Sequence, residues 1–188
     1  MRRTFLAMLT PLIGAGLIAA GSVRPAYETL DADAEPLKSA FNADASKVRI
    51  FMYVSPTCGG CLRGARDIQK HVLDDVDASN LAVYVVWAPK NGARERHVEK
   101  ATGLVQDARA TQYWDEEGAI VRSLDAALRL TGPCAGAFMI YGPAARWEGQ
   151  DPPQPAYWED AHVIDLGRDV APSFDAETFG TKVVELLR

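Results

Sequence analysis

The sequence predicts an α/β fold in which a central β-sheet is flanked by helices, and three observations carry that prediction. Two apolar runs rich in β-branched and aromatic residues, VRIFMYV from Val48 to Val54 and LAVYVVW from Leu81 to Trp87, have the length and composition of buried strands. Between them lies a stretch with apolar residues at helical intervals, so strand, helix and strand form a βαβ unit. A third run, Ala137 to Tyr141, is closed by Gly142-Pro143 and reads as another strand.

Along the 188 residues the first segment, MRRTFLAMLTPLIGAGLIAAGS, has two arginines, an acid-free apolar run and small residues around Ala19 to Ser22. That is the pattern of an export signal peptide over residues 1–22, placing the mature protein in the periplasm or outside the cell. RRTFL also fits a twin-arginine signal, and Sec export fits equally. The run is broken by Pro11, Gly14 and Gly16, so the membrane is expected to be met only through an uncleaved signal. Losing Arg2 and Arg3 takes the formal charge from −5 to −7. Together with the lack of any Lys/Arg run in the mature part, this disfavours nucleic acid and anionic membranes as partners.

Residues 23–47 read as a lead-in, with a short helix from Glu35 to Phe41 aligning Leu37 and Phe41; a single domain follows over 48–188. After the first strand come Ser55-Pro56-Thr57, then Cys58-Gly59-Gly60-Cys61 opening a helix to about Val76 with Leu62, Ala65, Gln69, Val72 and Val76 on its apolar side. The second strand ends at Pro89 and Asn91-Gly92. A surface helix is expected over Ala93 to Ala108. Another is expected from Ala119 to Leu130, burying Val121, Leu124, Ala127 and Leu128 and stopped by Gly132-Pro133. Gly149 to Pro155 is loop, His162 to Asp165 a short edge strand, and a final helix buries Phe179, Val183, Leu186 and Leu187 behind Asp175 and Glu177.

The chemistry is expected at Cys58 and Cys61. A cysteine that opens a helix directly after a strand meets unpaired N–H groups and the positive end of the helix dipole, which favour the nucleophilic thiolate. Cys58 is therefore the attacking sulfur. Cys61, one turn later, is the resolving sulfur that attacks a mixed disulfide and releases the substrate, and the reverse sequence donates a disulfide. No metal and no cofactor is required.

On these residues the sequence resembles the thioredoxin-like superfamily from about Val48 to the C-terminus, through VRIFMYV, SPTCGGC, LAVYVVW and DEEGAIVRSLDAALRLTGPCAGAFMIYGP. The resemblance implies a thioredoxin-like fold with a mixed sheet, an exported thiol–disulfide oxidoreductase, and partners that are protein dithiols or disulfides together with a redox partner. It also implies that Pro133 is cis and faces the cysteine pair as part of the substrate groove. Thr57 and Gly60 stand where thioredoxin itself has tryptophan and proline.

Other readings stay open on the residues alone. The pair could be half of a zinc site or an inert disulfide in a non-catalytic interaction module. With His162 it could carry copper, as in thioredoxin-fold oxidase assembly proteins. Ser55 supplies the hydroxyl of a peroxiredoxin-type peroxidase. Cys134 is either a small core residue or a third redox thiol. His71 and His97 read as solvated, the four tryptophans as core residues or a groove lining, and Tyr113-Trp114-Asp115 stands out without an assigned role.

Overall fold

The computed structural model describes residues 26–129, 136–161 and 171–188 of the chain. Within them β1 (Glu28–Thr29), β2 (Val48–Val54), β3 (Leu81–Trp87), β4 (Ala110–Trp114), β5 (Ala137–Tyr141) and β6 (Tyr157–Asp160) form one sheet in the order β1-β4-β3-β2-β5-β6. The first four are parallel neighbours, whereas β5 runs antiparallel to β2 and β6 antiparallel to β5. Every residue of β2 and β3 is buried, as both apolar runs require of strands covered on two faces.

Helices cover both faces. On one, α2 (Gly59–Ile68), α3 (Val98–Thr102) and α5 (Ala176–Leu187) bury Cys61, Ala65, Ile68, Val98, Ala101, Phe179 and Val183 against Ile50, Met52, Val85 and Phe138. On the other, α1 (Glu35–Ala43) and α4 (Ala119–Ala127) bury Leu37, Phe41, Ile120 and Leu124 against Phe51, Tyr53, Tyr84 and Met139. The alternation follows from the two-residue period of the strands. In β2, Ile50, Met52 and Val54 face α2 while Arg49, Phe51 and Tyr53 face away from it.

The fully buried Arg49 stacks 4.3 Å over the Phe41 ring and donates to the carbonyls of Phe41 (3.1 Å), Ala145 (3.0 Å) and Gly142 (2.6 Å). It ties α1 and the end of β5 to the start of β2. Carbonyl acceptors take the two terminal nitrogens of this buried guanidinium, while its buried Nε has no hydrogen-bond partner among the described residues.

Several expectations change. The helix expected over Ala93 to Ala108 is a 3₁₀ turn, Glu95–His97, followed by the short α3, which ends at Gly103. The remaining residues lead into β4, a strand the apolar pattern misses. It is half polar because Gln112 spans the gap to α3, accepting from Trp87 Nε1 (3.0 Å) and donating to the carbonyls of Thr102 (3.0 Å) and Val105 (2.7 Å). The helix after the cysteines widens into a π-helical turn over Gln69–Leu73, whose Gln69 carboxamide accepts the backbone N–H groups of Gln106 (2.9 Å) and Asp107 (3.2 Å). The edge strand seen is Tyr157–Asp160, held from outside by the bridge of Asp160 to Ser173. Residues 162–165, where an edge strand was expected, lie outside the described residues, as do the signal segment, Pro133, Cys134 and His162.

Three tryptophans, Trp87, Trp114 and Trp147, are core residues, and Trp147 also lines a pocket with Ala34, Lys38, Ile120 and Gln150 whose lining includes neither Cys58 nor Cys61. His97 accepts the Arg94 N–H at its Nδ1 (3.0 Å), closing the turn before α3.

Candidate active site

The cysteine pair sits at the C-terminal end of β2, where the chain turns into α2. Cys58 is the N-cap residue, with extended backbone (φ −89°, ψ 115°), and its sulfur accepts the Cys61 N–H at 3.3 Å. The residue is only partly buried. Cys61 is wholly buried in the core beneath α2. Burial pushes the Cys61 thiol well above the ordinary thiol range; its hydrogen bond to Cys58 adds to this, and the Ser55 backbone opposes it. One cysteine is therefore part-exposed at a helix N-terminus, while its neighbour one turn on is held protonated in the interior.

The surroundings explain why the pair is held in this way. Opposite Cys61, a Cβ on Gly136 would lie 3.1 Å from its Sγ and 3.0 Å from the Cβ of Ala161, so the chain entering β5 passes close over the buried sulfur. Gly64, one turn after Cys61, is required by the Phe138 ring, whose Cζ would stand 2.4 Å from a Cβ there. Phe138 in turn packs on Phe174 with ring centroids 4.4 Å apart, so α2 lies flat against β5 and the approach to α5.

Before the pair, a set of hydroxyl bonds fixes the turn. Fully buried Ser55 donates to the Lys90 carbonyl (2.8 Å) and accepts the Thr57 N–H (3.3 Å), while its own carbonyl accepts the Cys58 N–H (3.2 Å). The Thr57 hydroxyl lies 3.0 Å from the Asn91 carbonyl and 3.2 Å from that of Lys90. Ser55 was the candidate peroxide-binding hydroxyl. Its proton is engaged with Lys90 in the interior, a geometry unsuited to that role.

Two buried carboxylates lie elsewhere. Asp115, at the end of β4, caps α4: Oδ1 accepts the Ala119 N–H (2.7 Å) and Oδ2 the Ile120 N–H (3.1 Å). Burial raises its pKa, and those two backbone bonds partly offset the rise. Glu159 of β6 accepts Tyr157 Oη (2.6 Å) and the Asp175 N–H (2.9 Å), and its pKa is also raised by burial. The Tyr113-Trp114-Asp115 segment thereby gains its roles: Tyr113 and Trp114 face opposite cores and Asp115 starts α4. An acid just before an apolar-periodic run is a helix-start signal that could have located it. Among the described residues no group of three or more His, Cys, Asp or Glu side chains is placed to hold a metal ion.

No protein-family model matches the sequence, and no curated protein matches it. Solved structures do. A thiol:disulfide interchange protein of the thioredoxin family from Chlorobium tepidum TLS is 11% identical with a TM-score of 0.50, the match covering 79% of this chain and 85% of that one. A second Chlorobium tepidum protein, assigned as a thiol:disulfide interchange protein DsbE, is 11% identical with a TM-score of 0.51, over 78% and 84% of the two chains. A secreted Mycobacterium tuberculosis disulfide oxidoreductase homologous to E. coli DsbE is 13% identical with a TM-score of 0.48, over 75% and 83%. At such identities the likeness is one of architecture. The fold of this chain is thioredoxin-like, with the mixed sheet and flanking helices expected.

Proposed function

We propose that this chain is an exported thiol–disulfide oxidoreductase that exchanges disulfides with protein substrates through Cys58 and Cys61. The observation that carries the reading is the asymmetry of the pair. A part-exposed cysteine caps a helix within hydrogen-bond reach of a second, fully buried cysteine.

In the reducing direction the Cys58 thiolate attacks a substrate disulfide. A Cys58–substrate bond forms as the substrate S–S bond breaks, and one substrate sulfur leaves as thiolate and takes up a proton. Cys61 then gives up its proton and attacks the Cys58 sulfur, forming the Cys58–Cys61 bond and releasing the second substrate thiol. Two electrons pass from the protein dithiol to the substrate. In the oxidising direction each step reverses. Burial keeps the Cys61 sulfur protonated, hence inert, until the mixed disulfide presents a target beside it. Export rests on the acid-free apolar run behind Arg2 and Arg3.

The test is capture. Cys61→Ala is expected to accumulate substrates as mixed disulfides at Cys58, released by reductant and resolved by non-reducing electrophoresis and mass spectrometry. Cys58→Ala is expected to capture none. Equal capture by both variants, or by neither, contradicts the assignment of attacking and resolving sulfurs.

A further inference from the structure

We propose that Ser55 is a positioning residue of the exchange step, an inference that rests on the disulfide-exchange reading above. Ser55 ties the turn that carries Cys58 to the loop after β3. Its carbonyl accepts the Cys58 N–H at 3.2 Å. That bond fixes the residue from which α2 starts and whose sulfur takes the Cys61 N–H at 3.3 Å. The side chain fixes that backbone: the hydroxyl, wholly inside the protein, donates across the top of β2 and β3 to the Lys90 carbonyl at 2.8 Å, and its lone pair takes the Thr57 N–H at 3.3 Å. Thr57 adds a weaker, exposed arm through its hydroxyl to the carbonyls of Asn91 and Lys90.

The loop that receives both arms is itself set. Lys90 donates its N–H to Ala88 O (2.8 Å) and accepts the Ala93 N–H (2.9 Å), and Asn91 and Gly92 both hold positive φ, 53° and 71°. Gly59 and Gly60 bring no side chain to anchor the cysteine turn, so the Ser55 hydroxyl supplies the anchorage from behind.

The step that depends on this is resolution. Cys61 must attack the Cys58 sulfur along the S–S axis of the mixed disulfide, which requires both sulfurs to be held at near-attack geometry. Cutting the tie to Lys90 lets the Ser55–Cys58 turn drift while the buried Cys61 stays in place. The first step, attack by part-exposed Cys58 on an external disulfide, has no such requirement.

The experiment follows reduced full-length protein reacting with oxidised glutathione, quenched in acid at intervals and resolved by mass spectrometry. The Cys58–glutathione mixed disulfide and the Cys58–Cys61 disulfide are thereby counted separately. Ser55→Ala is expected to lengthen the life of the mixed disulfide about three- to tenfold, as loss of one hydrogen bond implies. Its formation should change less than about twofold, since that step does not use the anchor. Thr57→Val is expected to lengthen it about twofold, with Thr57→Ser restoring the native value. Equal slowing of both steps, or an unchanged lifetime in Ser55→Ala, overturns the proposal. If Ser55→Ala does not fold, the Thr57 pair decides, and identical lifetimes in Thr57→Val and Thr57→Ser overturn it. Failure of the unaltered protein to form either disulfide instead defeats the disulfide-exchange reading itself, and the anchoring role falls with it.

Discussion

Two helices start from the same end of the sheet on opposite faces, and they are capped in opposite ways. After β4, α4 begins under a buried carboxylate that accepts two backbone N–H groups at 2.7 and 3.1 Å. After β2, α2 begins under a part-exposed cysteine whose sulfur accepts one N–H at 3.3 Å. Both satisfy a helix terminus whose first N–H groups lack intrahelical partners. The Asp115 cap is permanent: it is dry, doubly bonded and already spent on the backbone. The Cys58 cap is single, long and part-exposed, so its sulfur can leave for a disulfide without unmaking the helix. On the proposed function, reactivity sits where the cap is replaceable.

The largest effect that would sharpen this contrast is chemical. Cys58→Ser keeps a capping oxygen, so the melting transition should move little, within about 0.5 kcal/mol, while disulfide exchange falls to the uncatalysed level. A large loss of stability would make Cys58 a structural cap like Asp115. Next is the packing that holds α2 flat. Gly64→Ala places a Cβ 2.4 Å from the Phe138 ring, and overpacking of this kind should lower stability by about 3 kcal/mol in urea unfolding. A neutral substitution there would mean that Phe138 has room to turn aside.

At α4, Asp115→Ala should lose about 2 kcal/mol, because two N–H groups are left without acceptors in a buried site. Asp115→Asn keeps one acceptor, and about half that loss is expected. Neither should alter glutathione exchange, since this cap is not the reactive one. The smallest effect is in pH. Burial raises the folded-state pKa of both Asp115 and Glu159. Their contribution to stability is therefore complete below the ordinary carboxylate values of 3.8 and 4.5 and is lost as pH rises through the raised folded values. Asp115→Asn should flatten the unfolding midpoint between the ordinary carboxylate range and neutrality. An unchanged pH slope would place that titration elsewhere.

The same contrast explains what was legible in the sequence. The cysteine site is local: an apolar run, a turn and a cysteine pair at one-turn spacing occupy fourteen consecutive residues, Val48 to Cys61, and their order alone places the pair at a helix start. The anchoring of that turn is not local. Ser55 meets a backbone carbonyl 35 residues away, and a carbonyl has no residue-type signature to read. β4 escaped notice for a related reason. Gln112 looks like a solvated side chain until its partners on β3 and α3 are known, and the preceding charges extend a helical pattern that Gly103 ends. Arg49 likewise reads as a break in an apolar strand, and only the carbonyls of α1 and of the segment after β5 make its burial possible.

The most direct test of the central claim is a redox titration of the purified mature protein against glutathione buffers, with alkylation of Cys58 and Cys61 read by mass spectrometry and Cys134→Ala as control. A reversible two-electron transition in the folded protein is expected, with Cys58 alkylated at least about tenfold faster than buried Cys61 in the reduced form. A pair that is reduced only on unfolding, or that binds one metal ion in place of cycling, would contradict it.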